Sequence, residues 1–285
     1  MPKRSLALAA LSVVAAACGS TSATTPAPPA PSPSHARDVY REIDGAKADC
    51  MKEKGFKYVA WTPPEPPMTE EDKMRASTDY AVMKAYRAEH GFGIVSVLVH
   101  PRDGAQGDQP RNPNYKIVKD LSPAQRKAYA IQGEKCHVQA IKQITGEDVR
   151  SPEEWSRRHD KDLETRKKRA LDGDPELVEQ AAAMADCMTT KGYRIGATTP
   201  TAMRDWGFLL FSKELHELAR KEDKTIPAFD PETGTGNFPT GLTEGEKQAI
   251  LKREIKTALD DLECGKDFHP AMAAMSTRLD NELGE

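Results

Sequence analysis

Large rings are scarce in this chain: three Trp, seven Tyr and seven Phe make up 6% of its 285 residues. Aromatics supply much of the buried area in ordinary cores, so a body this poor in them calls for another source of stability. An excess of charge of one sign is also missing. With 41 basic and 44 acidic residues the formal charge is −3, which offers no concentrated positive surface for a phosphate backbone and argues against nucleic-acid binding. Long apolar runs are absent too. The one strongly apolar stretch, Ser5 to Ala17, has 13 residues, whereas a bilayer-crossing helix needs about 20. Recognisable catalytic signatures are lacking as well, with no Gly-x-Ser-x-Gly elbow, no phosphate-binding Walker loop and no convincing carboxylate pair. What is present is a polar composition, 38% hydrophobic and 30% charged with a mean hydropathy of −0.66, which still leaves enough apolar residues for a core.

The first residues read as an address. Lys3 and Arg4 precede the apolar run, which ends in Ala15-Ala16-Ala17 directly before Cys18-Gly19-Ser20. A basic start, a short apolar stretch and a cysteine straight after small residues resemble the lipobox of bacterial lipoproteins. That resemblance makes residues 1–17 a signal peptide and Cys18 the acylated first residue of the mature chain, held on the outer face of the cytoplasmic membrane. The alternative is an ordinary signal peptide cut near Ala17, giving a secreted protein. Loss of residues 1–17 removes two cations, Lys3 and Arg4, and takes the formal charge from −3 to −5. Residues 18–36, rich in Pro, Ser and Thr, cannot build a core and form a tether reaching roughly 50 Å if extended.

Four cysteines follow: Cys50, Cys136, Cys187 and Cys264. In an exported chain an even number reads as disulfides. Their separations of 86, 51 and 77 residues contain no Cys-x-x-Cys clip, which argues against structural zinc. The segment Ala46–Lys57 aligns without gaps to Ala183–Arg194, with seven of twelve positions identical. Leu121-Ser122-Pro123-Ala124-Gln125 similarly matches Leu242-Thr243-Glu244-Gly245-Glu246, and both read as a helix start with a capping box. This pattern points to an internal duplication and makes Cys50–Cys136 with Cys187–Cys264 the simplest pairing, with two other connectivities open.

The fold class expected is mainly α with short β segments, built as two related disulfide-stapled helical lobes, 37–150 and 151–285. Gly55 and Gly192 should end helices, with short strands after them at 56–61 and 193–196. A helix is expected from Thr69 to His90, followed by an extended run over 91–99 whose shorter counterpart is 206–210. Met51 and Met188 should fill core gaps beside the cysteines.

Together these residues resemble a family of uncharacterised secreted lipoproteins of actinobacteria. The likeness rests on Cys18, on Cys50-Met51 with Gly55-Phe56, on Phe92-Gly93-Ile94, on Leu121-Ser122-Pro123-Ala124 with Arg126 and Tyr129, and on Cys136. It covers residues 1 to about 145 well and the second repeat more loosely. It implies an address and an architecture but no activity.

Local candidates for chemistry are weak. His216-Glu217-Leu218-Ala219-Arg220 resembles half of a zincin helix, but Arg220 stands where the second ligand is needed, so a solvated helix face is expected. His137 adjoins Cys136, yet adjacent helical residues diverge by about 100°, which argues against a thiol–imidazole pair. Gly91-Phe92-Gly93 lacks the rest of a dinucleotide fingerprint. Asp230–Asn237 suggests a calcium loop, but Gly241 stands where a bidentate Glu belongs. In Arg157–Arg169 the cations alternate with Asp160, Asp162 and Glu164, the pattern of a solvated helix. No cofactor or metal is implied. The functional expectation is a membrane-anchored binding or interaction module taking an envelope protein or small molecule. An enzyme acting on cell-envelope polymers is the alternative.

Overall fold

The computed structural model describes residues 34–64, 68–100, 110–234 and 236–283, with side chains described from Val39 onward. Cys18, the expected signal peptide and nearly all of the expected tether lie outside the described residues. Among the described residues eleven helices form in chain order: α1 Ser34–Glu53, α2 Glu70–Arg75, α3 Tyr80–His90, α4 Ser96–Val99, α5 Asn114–Lys119, α6 Pro123–Thr145, α7 Pro152–Asp172, α8 Pro175–Thr190, α9 Pro200–Glu222, α10 Glu244–Cys264 and α11 Phe268–Leu283. All belong to one compact unit. The boundary expected near residue 150 falls between α6 and α7.

Sequence signals set the helix ends. Ser122 accepts from the Gln125 amide while Gln125 reaches back to the Ser122 amide, and Thr243 with Glu246 does the same for α10. Asp174 caps α8, with Pro175 in its first turn, where a missing amide costs nothing. At Ser151 the box is half made: its hydroxyl accepts from Glu154, but the Glu154 carboxylate turns to the Arg150 amide. The helix expected over 69–90 is broken between α2 and α3, because Asp79 accepts from the Val82 amide and starts a second helix.

Two disulfides join helix pairs, Cys50–Cys136 between α1 and α6 and Cys187–Cys264 between α8 and α10. In the chain-entropy view, loops of 86 and 77 residues closed in this way each remove about 4–5 kcal/mol of denatured-state freedom. For a core with few large rings that is a major share of net stability. Met51 and Met188 lie fully buried, one in each pair. Both cysteine helices also end alike. Phe56 N donates to Met51 O and Gly55 N to Lys52 O, while Tyr193 N donates to Met188 O and Gly192 N to Thr189 O. This double closure requires a left-handed residue, and both glycines have positive φ, 79° and 92°.

Among the described residues there are no strands. The expected β segments fail because side chains take their backbone groups. Asn114 accepts from Val59 N and donates to Val59 O, and Asp44 accepts from Trp61 N. Residues 193–196 run without a partner strand, and 206–210 lie inside α9. The run over 91–99 is bent instead of extended, since Gly91 and Gly93 take φ of 65° and 90° and the chain then enters α4.

That bent segment ties the first half of the chain to the second. Arg87 on α3 donates to the carbonyl of Ala258 and to the Asp261 carboxylate on α10. Ile94 and Val95 pack with Phe211, Leu215, Ile250 and Leu251 of α9 and α10. The Phe92 ring lies over Gly207, where an added Cβ would come within 2.1 Å of it. Gly207→Ala is therefore expected to lower stability by about 2 kcal/mol in urea unfolding, clash outweighing the gain in helix propensity. Gly45→Ala in the middle of α1, with nothing within 4 Å of the new methyl, should instead be neutral or gain up to about 1 kcal/mol. Equal effects at the two positions would refute the close packing of Phe92 on α9.

Candidate functional site

The bent segment, α9 and the loop between α9 and α10 enclose a cavity of about 230 Å³. Ile94, Leu215, Phe208 and Phe238 give it an apolar wall, and Ser212 and Asn237 add polar edges. Phe208 and Phe238 remain nearly half exposed, at 44% and 48%, so the rings stand at an opening to solvent.

Three side chains of α9 hold the loop that closes the other side. His216, expected on a solvated face, is buried at 2% exposure. Its Nδ1 accepts from the Asn237 amide at 3.1 Å, so the proton resides on Nε2, which donates to the Pro227 carbonyl at 2.9 Å. One turn later Arg220 Nε donates to the Ile226 carbonyl, and Glu222 accepts from the amides of Thr240 and Gly241. Those amide bonds hold the Glu222 carboxyl below its usual range. The His216 and Arg220 pair that suggested half a zinc site is thus a fastener for residues 226–237. Asp230 takes part in a turn, its carboxylate accepting from Glu232 N. Among the described residues no three His, Cys, Asp or Glu side chains are placed to hold a metal ion.

Beneath the bent segment lies the group that sequence reading missed. Glu254 of α10 is fully buried, and its carboxylate accepts from Phe92 N and Ile94 N at 2.9 Å and from Val95 N at 2.8 Å. Burial pushes its carboxyl above the usual range and the amides pull it back, with a net upward direction. A Cβ on Gly91 would meet Glu254 Cγ at 2.6 Å, so glycine is needed where the chain passes the carboxylate. The one advance signal was a glutamate on the apolar face of α10, indistinguishable in sequence from its exposed neighbours.

A second polar group lies one to two turns along α10. Asp261, 2% exposed, receives Arg87 on one side and His269 Nε2 at 3.0 Å on the other. A carboxylate–imidazole pair can orient a base, but here the same carboxylate is engaged by a guanidinium, and among the described residues no Ser or Cys side chain bonds the imidazole. It serves as an interhelical tie. Asp260, on the neighbouring face, is drawn down to about 2: burial opposes this, but bonds from Lys256, Tyr193 and Lys191 outweigh it.

Cys136 is disulfide-bonded, which removes the thiol from any pair with His137. Burial, reinforced by Lys47, lowers His137 to about 4. No family model matches the chain, and no curated protein or solved structure matches it.

His137 gives a signed pH dependence. Neutral in the folded body down to about 4 and titrating near 6.5 when unfolded, it contributes stability that is present above 6.5 and lost as pH falls toward 4. Denaturation of the parent should weaken over that window by on the order of 2 kcal/mol more than that of His137→Gln. Parallel profiles for the two proteins would contradict a neutral, desolvated His137.

Proposed function

We propose that this chain is a lipid-anchored extracytoplasmic protein whose helical body is a binding module, and that its ligand sits in the cavity between Ile94, α9 and the 226–240 loop. The cavity carries the reading: its walls are apolar, its polar edges are few, and its far side is held by three separate fasteners. Such a pre-formed, mostly apolar hollow with one or two directing polar groups is the usual form of a small-molecule site. The ligand would be a small, largely apolar group with one polar atom directed at Ser212 or Asn237. An address at the envelope is supported by the lipobox-like approach to Cys18 and the Pro-rich segment after it. We also place the chain beside the actinobacterial lipoproteins it resembles.

An internal duplication accounts for the two stapled helix pairs. It is supported by the seven identities between 46–57 and 183–194, the two capping boxes, the paired buried methionines and the repeated helix closure at Gly55 and Gly192. In this reading the copies have diverged in use. Residues 91–99 of the first copy became the lid of a site whose other walls belong to the second.

The test uses the uncharged fluorophore N-phenyl-1-naphthylamine as a probe for the cavity. The full chain should bind it saturably with a rise in emission, and Ser212→Phe, which fills the hollow, should weaken binding at least about tenfold with unchanged helical circular dichroism. Phe208→Ser, altering only an exposed wall, supplies a second variant with little risk to folding. Identical titrations for the parent and both variants would overturn the site.

A further inference from the structure

The fold leaves two features of the cavity beside α9 unused: a hydroxyl without a partner and a wall without charge. Ser212 is buried at 6% exposure and lines the hollow, yet its hydroxyl makes no hydrogen bond among the described residues. Hydroxyls elsewhere in the helices fold back onto the carbonyl four residues earlier, as those of Thr145 and Thr189 do. A buried polar group left unbonded is costly, so one that lines a hollow marks the place of a bonding partner. The chain opposite is laid tightly over it. Gly236 passes the Ser212 carbonyl so closely that an added Cβ would come within 3.0 Å of its oxygen, and a Cβ on Gly234 would lie 3.3 Å from the Phe208 ring. The glycines of the calcium-like run 230–237 thus let the loop lie flat against α9.

Asn237 supplies the second polar group. Its backbone N–H and its side-chain Nδ2 both turn to His216 Nδ1, at 3.1 and 3.4 Å. With the nitrogen so placed, Oδ1 has no partner among the described residues and remains an acceptor. His216 has no nitrogen to spare, because Nδ1 accepts from Asn237 and Nε2 donates to the Pro227 carbonyl. It therefore has no lone pair for a proton from Ser212 one turn earlier, and the two are not a nucleophile and its base. Among the described residues no charged side chain lines the hollow. An ion taken there from water would lack a counter-charge, so acids and amines are rejected. The volume of about 230 Å³ exceeds the ~150 Å³ hollow that takes benzene, which sets a guest of roughly nine or ten non-hydrogen atoms.

We propose that the cavity selects a hydroxyl group on a neutral apolar body, an alcohol or phenol, with Ser212 donating to the ligand oxygen and Asn237 Oδ1 accepting its hydrogen. This rests on the cavity being the ligand site, and adds the functional group and the charge that the site selects. A hydroxyl accepts and donates at a single atom, which matches a donor set beside an acceptor. An ether would satisfy Ser212 alone, and a hydrocarbon neither group. Because the site is built to bond a hydroxyl, a guest lacking one leaves its polar groups unpaired.

The experiment titrates the full chain, by ligand-observed nuclear magnetic resonance, with p-cresol, its hydrocarbon isostere p-xylene and its methyl ether 4-methylanisole. Ser212→Ala should weaken p-cresol and 4-methylanisole at least about fivefold while leaving p-xylene within about twofold, the hydrocarbon reporting that the variant keeps its fold and its cavity. Asn237→Ala retains the backbone bond to His216 and should weaken p-cresol at least about threefold without moving 4-methylanisole. The ions p-toluate and 4-methylbenzylammonium should not bind. Equal effects of Ser212→Ala on p-cresol and p-xylene, equal effects of Asn237→Ala on p-cresol and its ether, or an ion bound as tightly as p-cresol would overturn the proposal. The hydrocarbon separates the two possible failures. If neither p-xylene nor N-phenyl-1-naphthylamine binds the parent, the hollow is no ligand site and both readings fall; p-xylene bound with no preference governed by Ser212 removes only the selection of a hydroxyl.

Discussion

The arrangement depends on one buried carboxylate. Glu254 sits on the inner face of α10 and accepts three amide hydrogens from Phe92, Ile94 and Val95. A carboxylate removed from water costs several kcal/mol unless it is paired or fully bonded, so its burial is tolerable only while the bent segment surrounds it. The same amides, turned inward by Gly91 and Gly93, would be unsatisfied without it. Each partner makes the other's burial permissible. The pair seats Phe92 on Gly207 and places Ile94 at the cavity wall.

Around this joint the stabilising effects divide between entropy and packing. The disulfides restrict the unfolded chain within each half; beside the first, Met51 packs with Phe56, Tyr58 and Tyr129, and beside the second, methionine, leucine and alanine side chains pack with Phe268, Tyr193 and Trp206. Among the described residues nothing covalent links the two halves except the backbone. Their association rests on Glu254, on Arg87 with Asp261, on the apolar cluster of Ile94, Val95, Phe211 and Leu251, and on Trp155 of α7, buried among Ile43, Ala140 and Ile141 of α1 and α6. The cavity lies at that junction. A ligand there would touch the least covalently constrained part of the body.

Local signals in the sequence were legible because they act over a few residues. Ser122, Thr243, Asp174 and Pro175 mark helix starts through their own amide bookkeeping, and Gly55 and Gly192 mark ends through a backbone shape that disfavours side chains. The cysteine pairing followed from the likeness of the segments around them. Extended-looking runs misled because β propensity reports a side chain's fit to a sheet, while Asn114, Asp44 and Glu254 decided the backbone's partners from more than fifteen residues away. His216 misled for a related reason: a polar residue on a charged helix was buried by a loop that starts ten residues later. The cavity was invisible because its walls come from residues 94, 208–215 and 233–238, which no short window contains.

The central claim is that Glu254 holds the bent segment by its amides. The most direct measurement is residue-resolved amide hydrogen exchange in the parent and in Glu254→Gln, where the new amide group would set a donor against donors. The account predicts that Phe92, Ile94 and Val95 lose at least about tenfold protection, equivalent to roughly 1.4 kcal/mol, while the amides of α1 and α6 around the first disulfide keep theirs. Unchanged protection at residues 92–95 in the variant would contradict it.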